Sequence, residues 1–316
     1  FYVGINYRLV IFIYQNNNFF SRNFIQISSQ IKQRINQINQ IVQDIEQVKY
    51  AIGALEAPTV SSCSAVREFK VFSQSGEDGV IQWLIHNITI QSKRFIEFGV
   101  QNYTESNTRF LLMHDNWSGL IMDGSRANMD YVQQDNVCWM HDLKPITAFV
   151  TAENINALIR ENGFDGKVGI LSIDIDGNDY WVWKAIDCVE ADIVICEYNS
   201  RFGSERAVTI PYDPGFYRTN AHSSNLYFGA SIRALTHLGN KKGYALVYGN
   251  RIGSNLFFVR RDLLNDVVRE KSIESCYVRA KYRQARDAEG RLMLLSIEEE
   301  EKLLEGLPLV DVSLDL

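Results

Sequence analysis

The chain has 316 residues, a hydrophobic content of 46%, a charged content of 22% and a formal net charge of −6. This length accommodates one domain of about 250 residues with an appendage, and the composition is typical of a globular protein with a full core. The acidic balance argues against nucleic acid as a partner, because phosphate binding requires a basic face. The five cysteines include no CxxC pair, which predicts a reducing, cytoplasmic setting and no zinc site.

Residues 1–23 form an apolar and aromatic segment that Asn6 and Arg8 interrupt. The apolar run is too short and too mixed in composition for a helix that spans a membrane. It also lacks the basic-then-apolar order and the cleavage site of a signal peptide. The segment stays unassigned, and a membrane-surface contact and the edge of a larger region are both left open.

Residues 24–57 repeat apolar side chains every seven residues. One heptad position holds Phe24, Ile31, Ile38, Ile45 and Ile52, and the position three residues later holds Ile27, Ile41, Val48 and Leu55. The pattern predicts a coiled coil through which copies of the chain associate, and isoleucine at both positions favours a trimer or tetramer, with the trimer preferred. A single amphipathic helix packed on the globular domain is the alternative interpretation. Pro58 and the polar residues after it are expected to form a linker.

Residues 58–316 alternate between strand and helix patterns. The strand candidates are RFIEFGV, SGLIMDGS, KVGILSIDID, ADIVICEYN, GYALVYG and NLFFVRR. Helical patterns at 79–88, 106–114 and 152–162 lie between them, which predicts a mostly parallel sheet with helices on both faces. Only a short turn separates the last two runs, so these two strands are expected to form an antiparallel hairpin. Residues 262–305 are expected to be helical and charged.

Acidic residues follow successive predicted strands. The series comprises Glu97, Asp123, Asp142, the cluster Asp174, Asp176 and Asp179, and Glu197, which Asn199 follows. Each acid alone could be a helix cap or a solvated loop residue. Because ligands of open α/β sheets bind beyond the carboxyl ends of the strands, the series as a whole predicts a ligand site.

Two positions indicate what this ligand is. Asp123, after the second strand, is suited to accept hydrogen bonds from the two hydroxyls of a ribose. Gly99, after the first strand, allows the backbone to approach a ligand closely. A dinucleotide fingerprint needs G-x-G-x-x-G, and its second and third glycines are missing after Gly99. A nucleoside without a pyrophosphate therefore fits better, and S-adenosylmethionine is such a ligand.

The stretches SQSGEDGVIQWLI, RFIEFGVQNYTESNTRFLLMHDNWSGLIMDGS and LSIDIDGND resemble the FkbM-type S-adenosylmethionine-dependent methyltransferases. The similarity covers roughly residues 70–200. It implies a seven-stranded, Rossmann-like methyltransferase sheet with a C-terminal antiparallel hairpin, in a domain of residues 58–316. The chain departs from the family at Glu97, where Asp is common, and at VQNYTE, where a turn of small residues is common.

The resemblance also implies roles for individual residues. The implied cofactor contacts are Gln74, Glu77, Glu97, Gly99, Asn107, Asp123, Gly124, Ser125, Asp142 and Asp174. Glu97 and Gly99 would line the methionine part of the cofactor, and Asp123 would hold the ribose. Asp142 would face the adenine, and Asp174 would lie near the sulfonium and act in catalysis. Residues 75–78 have an alternative interpretation as a helix capping box.

The acids after the fourth and fifth strands are more numerous than a cationic cofactor needs. Asp174, Asp176, Glu197 and Asn199 offer hard oxygen ligands that could hold Mg²⁺ or another divalent cation. Such an ion would lower the pKa of a sugar hydroxyl and orient it for attack on the methyl group. The loop does not fit an EF-hand, which requires Gly where Asp179 stands.

Residues 201–231 are too long and too polar for a simple crossover, and their aromatic and basic side chains suit a polyhydroxylated or anionic acceptor. His222 is the general-base candidate in this stretch. The predicted function is an O-methyltransferase acting on a sugar hydroxyl of a glycan or related small metabolite. Two alternatives are a glycosyltransferase that uses Asp174-Ile175-Asp176 as a D-x-D motif, and a non-catalytic coiled-coil scaffold with a Rossmann-like domain.

Overall fold

The computed structural model describes residues 3–313, with side chains described for 29–38 and 40–313. The chain divides into two compact units between Ile52 and Gly53. A single helix, α1, spans Val3–Ser61 and includes most of the segment that the sequence left unassigned. No helix within residues 3–313 is both long enough and apolar enough to cross a bilayer.

The predicted heptad positions of α1 are exposed to solvent. The exposed fractions are 53% for Ile31, 58% for Ile38, 56% for Ile41, 51% for Ile45, 59% for Val48, 55% for Ile52 and 77% for Leu55. The side chains of Phe24 and Ile27 lie outside the described part. A helical stripe of large apolar residues is a surface that a partner helix would cover, and the coiled coil stays a prediction.

The second unit begins inside α1. The helix continues through Pro58 to Ser61, where the sequence predicted a linker. Ala57 and Val60 are 1% and 0% exposed, so the last turns of the helix contribute to the core of this unit. Irregular backbone follows only from residue 62.

A seven-stranded sheet forms the centre of the second unit. Its strands are β1 (Arg94–Phe98), β2 (Ser118–Asp123), β3 (Leu143–Thr147), β4 (Gly166–Ile173), β5 (Val189–Glu197), β7 (Tyr244–Gly249) and β8 (Asn255–Arg260). A small second sheet pairs β6 (Val208–Thr209) with β9 (Val310–Asp311). The order of the large sheet is β3-β2-β1-β4-β5-β8-β7, with β8 antiparallel to both of its neighbours. This confirms the predicted sheet and its C-terminal hairpin.

Helices cover both faces of the large sheet. They are α2 (Glu77–Asn87), α3 (Arg109–Asp115), α4 (Arg126–Gln134), α5 (Asn136–Met140), α6 (Ile155–Glu161), α7 (Asp179–Ala185), α8 (Arg218–Ala221), α9 (Ile232–Lys241), α10 (Ile273–Cys276) and α11 (Ile297–Leu304). The two cores contain Trp183 and Phe258 on one face, and Phe95 and Phe257 on the other. Because β4 and β5 are buried on both faces, their sequences are nearly continuous apolar runs.

The strand register places four strand ends at one edge of the sheet. Phe98 of β1 pairs with Met122 of β2 and with Ile173 of β4. Ile173 also pairs with Cys196 of β5. The loops that follow these strands therefore begin side by side.

The expectation of a helical region at 262–305 is largely wrong. Within it, only α10 and α11 are α-helical, and most of the remaining residues are irregular. The charged run at the end does form α11, where Ser296 and Glu299 make a capping box. Charge alone did not distinguish this helix from the exposed loops before it, because both kinds of segment are solvated.

Candidate active site

A cavity of about 320 Å³ opens at the edge where the parallel strands end. Its lining comprises Gly99, Gln101, Met122, Asp123, Gly124, Ser125, Ala148, Phe149, Val150, Asp174, Ile175, Asp176, Asn178, Phe216, Tyr217, Arg218 and Thr219. These residues come from the loops after β1, β2, β3 and β4 and from residues 212–222, here called the lid segment. The cavity lies where open α/β sheets bind their ligands.

Gly99 joins the end of β1 to the end of β4. Its φ is +79°, and a Cβ on this residue would lie 1.5 Å from the backbone oxygen of Asp174. No other residue type fits at this position without a shift of the backbone. The requirement for glycine thus comes from the backbone of Asp174, and the close approach of Gly99 to a ligand stays a prediction.

Asp123 ends β2 and lines the cavity. Its Oδ2 accepts the backbone N–H of Gln101 at 2.8 Å, and its Oδ1 accepts the backbone N–H of Ser125 at 2.8 Å. Ser125 also caps α4 by accepting the N–H of Asn128. Two loops therefore hold the carboxylate in place beside the cavity, where it could accept ribose hydroxyls. Gly124 lines the same wall.

The structure does not bring Asp142 to the cavity. Asp142 directly precedes β3, whose first residue pairs with Gly119 near the beginning of β2. It therefore lies at the opposite edge of the sheet, and the expected adenine contact is wrong. The apolar run before Asp142 is the helix α5, whose Trp139 is 87% exposed, and not a strand.

Residues after β3 take the place expected for Asp142. Ala148, Phe149 and Val150 line the cavity. The ring of Phe149 stacks on Tyr217 of the lid segment, with 5.6 Å between centroids and 20° between planes. This aromatic pair provides a flat apolar surface suited to a nucleobase.

Glu97 supports the loop after β1 and does not line the cavity. Its carboxylate accepts the hydroxyl of Ser106 at 2.6 Å and the backbone N–H groups of Asn107 and Thr108 at 2.9 and 3.1 Å. Burial raises the pKa of this carboxyl. The side chain of Asn107 donates to Ser172 at 3.1 Å. Neither side chain lines the described cavity and both are engaged within the protein, so the cofactor contacts predicted for Glu97 and Asn107 gain no support.

Gln74 and Glu77 also lie away from the cavity lining. Gln74 is exposed. Glu77 accepts the backbone N–H of Ser75 at 2.8 Å and the side-chain amides of Asn250 and Asn255 at 2.7 and 3.1 Å. Helix α2 begins without a side-chain cap. The capping box predicted for residues 75–78 does not form, and the predicted cofactor contacts of Gln74 and Glu77 gain no support.

Three of the four predicted metal ligands converge. One carboxylate oxygen from each of Asp174, Asp176 and Glu197 lies within 4.8 Å of the others. Burial and the neighbouring carboxylates raise the pKa of Asp174 and of Glu197 well above their ordinary values. Asp176 has φ of 56°, a left-handed conformation that directs the chain sharply after β4.

Asn199, the fourth predicted ligand, is fully buried and holds the residues that follow the lid segment. Its side-chain amide donates to the backbone oxygens of Leu226 and Phe228 at 2.8 and 3.0 Å. Its oxygen accepts the backbone N–H of Arg201 at 3.1 Å. The amide oxygen already has a backbone partner, so its assignment as a metal ligand is not supported.

Asp179 has a local structural role. Its two oxygens accept the backbone N–H groups of Ile175 and Gly177 at 3.0 and 2.9 Å. This fixes the turn between β4 and α7. Of the acids after β4, only Asp174 and Asp176 thus remain to act on a ligand.

The lid segment is tied to the rest of the unit at several points. The side-chain amide of Asn178 donates to the backbone oxygen of Asp213 at 2.7 Å. The ring of Phe216 packs on Gly177, where a Cβ would lie 2.2 Å from it. Arg218 forms an ion pair with Asp176 at 2.5 Å. These contacts place the segment beside the acids.

Arg218 is held in position from three further sides. Its Nε donates to the backbone oxygen of Asn225 at 2.8 Å, and its guanidinium lies 3.6 Å from the ring centroid of Phe228. Its other nitrogen donates to Gln284. Arg218 is the one basic residue among those that line the described cavity.

His222, the predicted general base, is not among the residues that line the described cavity. Its Nδ1 accepts the backbone N–H of Ser224 at 3.2 Å and lies 2.7 Å from the hydroxyl of the same residue. The imidazole thus stabilises the turn after the lid segment. Phe149, Asn178 and Phe216 line the cavity although the sequence analysis did not single them out. Asn178 lies close to a predicted strand end and Phe216 lies in the polar stretch at 201–231, whereas Phe149 follows β3, which the sequence did not predict as a strand.

No family model matches the sequence, and no curated protein matches it. Among solved structures, the chain is similar to the N-terminal domain of EvdMO1 with SAH bound, at 12% identity and a TM-score of 0.39 over 66% of this chain and 94% of that chain. It is also similar to M. capricolum TrmK in complex with S-adenosyl-homocysteine, at 9% identity and a TM-score of 0.35 over 59% and 70%. Structural similarity at these sequence identities and TM-scores does not identify a family for the chain.

Proposed function

We propose that the chain is an S-adenosylmethionine-dependent O-methyltransferase that acts on a sugar hydroxyl of a glycan or a related polyhydroxylated metabolite. The observation that carries this proposal is a single cavity lined by Gly99, Asp123 and Asp174, which follow or end three adjacent parallel strands. Asp123, proposed to bind the nucleoside, and Asp174, proposed to act on the acceptor, therefore line the same cavity.

The cofactor half fits S-adenosylmethionine on three grounds. Asp123, in the cavity that Gly99 also lines, offers a fixed carboxylate for the ribose. Phe149 and Tyr217 offer a stacked aromatic surface for the adenine. Asp174, which lines the same cavity, supplies negative charge near the sulfonium. When bound, the cofactor would supply an electrophilic methyl group.

The acceptor half lies between the acids and the lid segment. Asp174 would accept a hydrogen bond from the acceptor hydroxyl and orient its oxygen toward the methyl carbon. The aromatic rings of Phe216 and Tyr217 suit a sugar face, and Arg218 can donate to further hydroxyls. A divalent cation held by the acids would lower the pKa of the hydroxyl and make it a better nucleophile.

The two alternatives make different predictions. A glycosyltransferase would use Asp174 and Asp176 to hold a cation on the diphosphate of a nucleotide sugar, so it would bind UDP. A methyltransferase would bind S-adenosylhomocysteine instead. A non-catalytic scaffold would need none of the acids that line this cavity.

We also propose that α1 assembles the chain into a trimer through its heptad positions. The support is the long row of exposed isoleucine, valine and leucine side chains on this helix. Such a row is unfavourable in water and matches a partner with the same seven-residue period.

Calorimetry of the full chain with S-adenosylmethionine, S-adenosylhomocysteine and UDP tests the assignment, each titrated with and without Mg²⁺. We expect both adenosyl ligands to bind and UDP not to bind. Binding of UDP alone would favour the glycosyltransferase, and binding of no ligand would favour the scaffold.

A further inference from the structure

The acids at the ends of β4 and β5 have too few positive partners. Asp174, Asp176 and Glu197 converge within 4.8 Å, and Arg218 contacts only Asp176 among them. Arg201 lies nearby in sequence, but it is paired with Glu300 at 3.2 Å. When its three carboxyls are ionised, the cluster therefore carries more negative charge than ion pairs among the described residues balance.

Glu197 provides an independent sign of a missing partner. The residue is only 8% exposed, and its Oε2 is buried without any hydrogen-bond donor among the described residues. A buried carboxylate oxygen without a partner is unfavourable, because it has lost its hydrogen bonds to water and accepts none from the protein. Since the Glu197 carboxylate converges with Asp174 and Asp176, one positive ligand between the three would satisfy it.

The ligand atoms indicate the kind of cation. All three are carboxylate oxygens, which Mg²⁺, Mn²⁺ and Ca²⁺ prefer and which softer metals do not. Oxygens that bind one such ion at about 2.0–2.6 Å lie within about 5 Å of one another, as they do here. Three protein ligands leave other positions open for water or for hydroxyls of an acceptor.

We propose that Asp174, Asp176 and Glu197 hold one divalent cation, and that this cation replaces Arg218 at Asp176. The guanidinium and the cation carry charge of the same sign and use the same carboxylate, so they disfavour each other. Arg218 belongs to the lid segment, so cation binding would also release this contact of the lid with Asp176. The role of the cation in hydroxyl activation rests on the proposed methyl transfer, but its binding does not.

Titration of the full chain with Mn²⁺, followed by electron paramagnetic resonance and calorimetry, tests the site. We expect one bound Mn²⁺ per chain, and we expect Glu197→Gln and Asp176→Asn each to weaken binding about tenfold or more. Asp176 is exposed, so its variant is expected to fold even where the buried Glu197 variant does not. Failure of the wild-type chain to bind Mn²⁺ below millimolar concentrations would overturn the proposal.

Two further variants test the ligand set and the exchange. Asp165→Asn is the control, because Asp165 is exposed and directly precedes β4, at the other end of the strand from Asp174. It should bind Mn²⁺ like the wild type, and an equal loss would show that the effect is not specific to the ligand set. Arg218→Gln should bind Mn²⁺ more tightly, and weaker binding would overturn the exchange.

The outcomes separate this site from the proposed function. Binding of S-adenosylhomocysteine without any Mn²⁺ binding would leave the methyltransferase in place and remove the cation. Binding of Mn²⁺ without S-adenosylhomocysteine would leave the cation site in place and contradict methyl transfer.

Discussion

The carboxylate of Glu97 accepts the backbone N–H of Asn107 at 2.9 Å and thereby fixes the chain that leads into α3. The same carboxylate accepts the hydroxyl of Ser106 at 2.6 Å and the backbone N–H of Thr108 at 3.1 Å. We expect Glu97→Gln to lower the free energy of unfolding by roughly 1–3 kcal/mol, because an amide offers one acceptor oxygen in place of two. Urea denaturation measures this change. The exposed Glu161→Gln should have no effect, and an equally stable Glu97→Gln protein would contradict the supporting role.

Asp123→Ala should weaken binding of S-adenosylhomocysteine by roughly 1–3 kcal/mol, since it removes a charged acceptor from the ribose. Calorimetry measures the affinity. Asp130→Ala, on the exposed surface of α4, is the control and should bind normally. Unchanged affinity in Asp123→Ala would remove this residue from the cofactor site.

Asp174→Asn should lower turnover by roughly 10²-fold or more, with a smaller effect on cofactor affinity, because it removes the acceptor of the hydroxyl hydrogen bond. Formation of S-adenosylhomocysteine with an acceptor found by screening methyl glycosides reports the rate. Normal turnover in this variant would show that the active site has been placed wrongly.

The helix α1 should associate through its exposed heptad row. We expect light scattering to show a trimer for the full chain and a smaller species for Ile38→Asp, because a buried charge opposes the seam. Gln43→Asp changes an exposed residue outside the two heptad rows and should leave the trimer intact. A monomeric full chain would contradict the coiled coil.

Truncations at two positions in α1 test where the second unit begins. Removal of residues 1–52 should yield a monomer or dimer that keeps its melting temperature. Removal of residues 1–61 should lower the melting temperature, because Ala57 and Val60 are buried in the second unit. Equal melting temperatures would show that these two contacts contribute little.

Asp78 should make stability depend on pH. Burial raises its pKa from 3.8 to about 6, although the N–H groups of Val71, Phe72 and Ser73 favour the charged form. The folded chain therefore binds this proton more tightly than the unfolded chain, so the contribution of Asp78 is greatest below pH 3.8 and is lost as the pH rises through about 6. We expect the stability of the wild type relative to Asp78→Asn to fall over this range in urea denaturation. A constant difference would contradict the raised pKa.

The sheet could be predicted because central parallel strands are apolar runs that turn residues interrupt. The same runs identified Asp123 and Asp174, since an acid directly after such a run must lie at the carboxyl edge. The position of Asp142 was predicted wrongly because β3 is a short edge strand of mixed polarity. The apolar run before Asp142 forms the helix α5. The four apolar residues at 137–140 are too few to distinguish a strand from a helix.

The roles of Glu77 and Asn199 could not be predicted, because their side-chain amide and carbonyl partners are distant in sequence. Glu97 binds residues 106–108, which the loop after β1 brings back to the strand. Glu77 binds amides at 250 and 255, and Asn199 binds carbonyls at 226 and 228. A buried acid satisfied by such partners and an acid that faces a ligand have the same local sequence. Only the folded structure shows which of these two roles such an acid has.

Gly99 has a consequence for how substrate choice would change under the proposed function. The backbone of Gly99 contacts the backbone of Asp174, so the spacing between the loop after β1 and the acids after β4 does not depend on any side chain. The proposed acceptor side includes side chains of the lid segment, such as Phe216, Tyr217 and Arg218. Substitutions in the lid segment would therefore change the acceptor while this backbone spacing is kept.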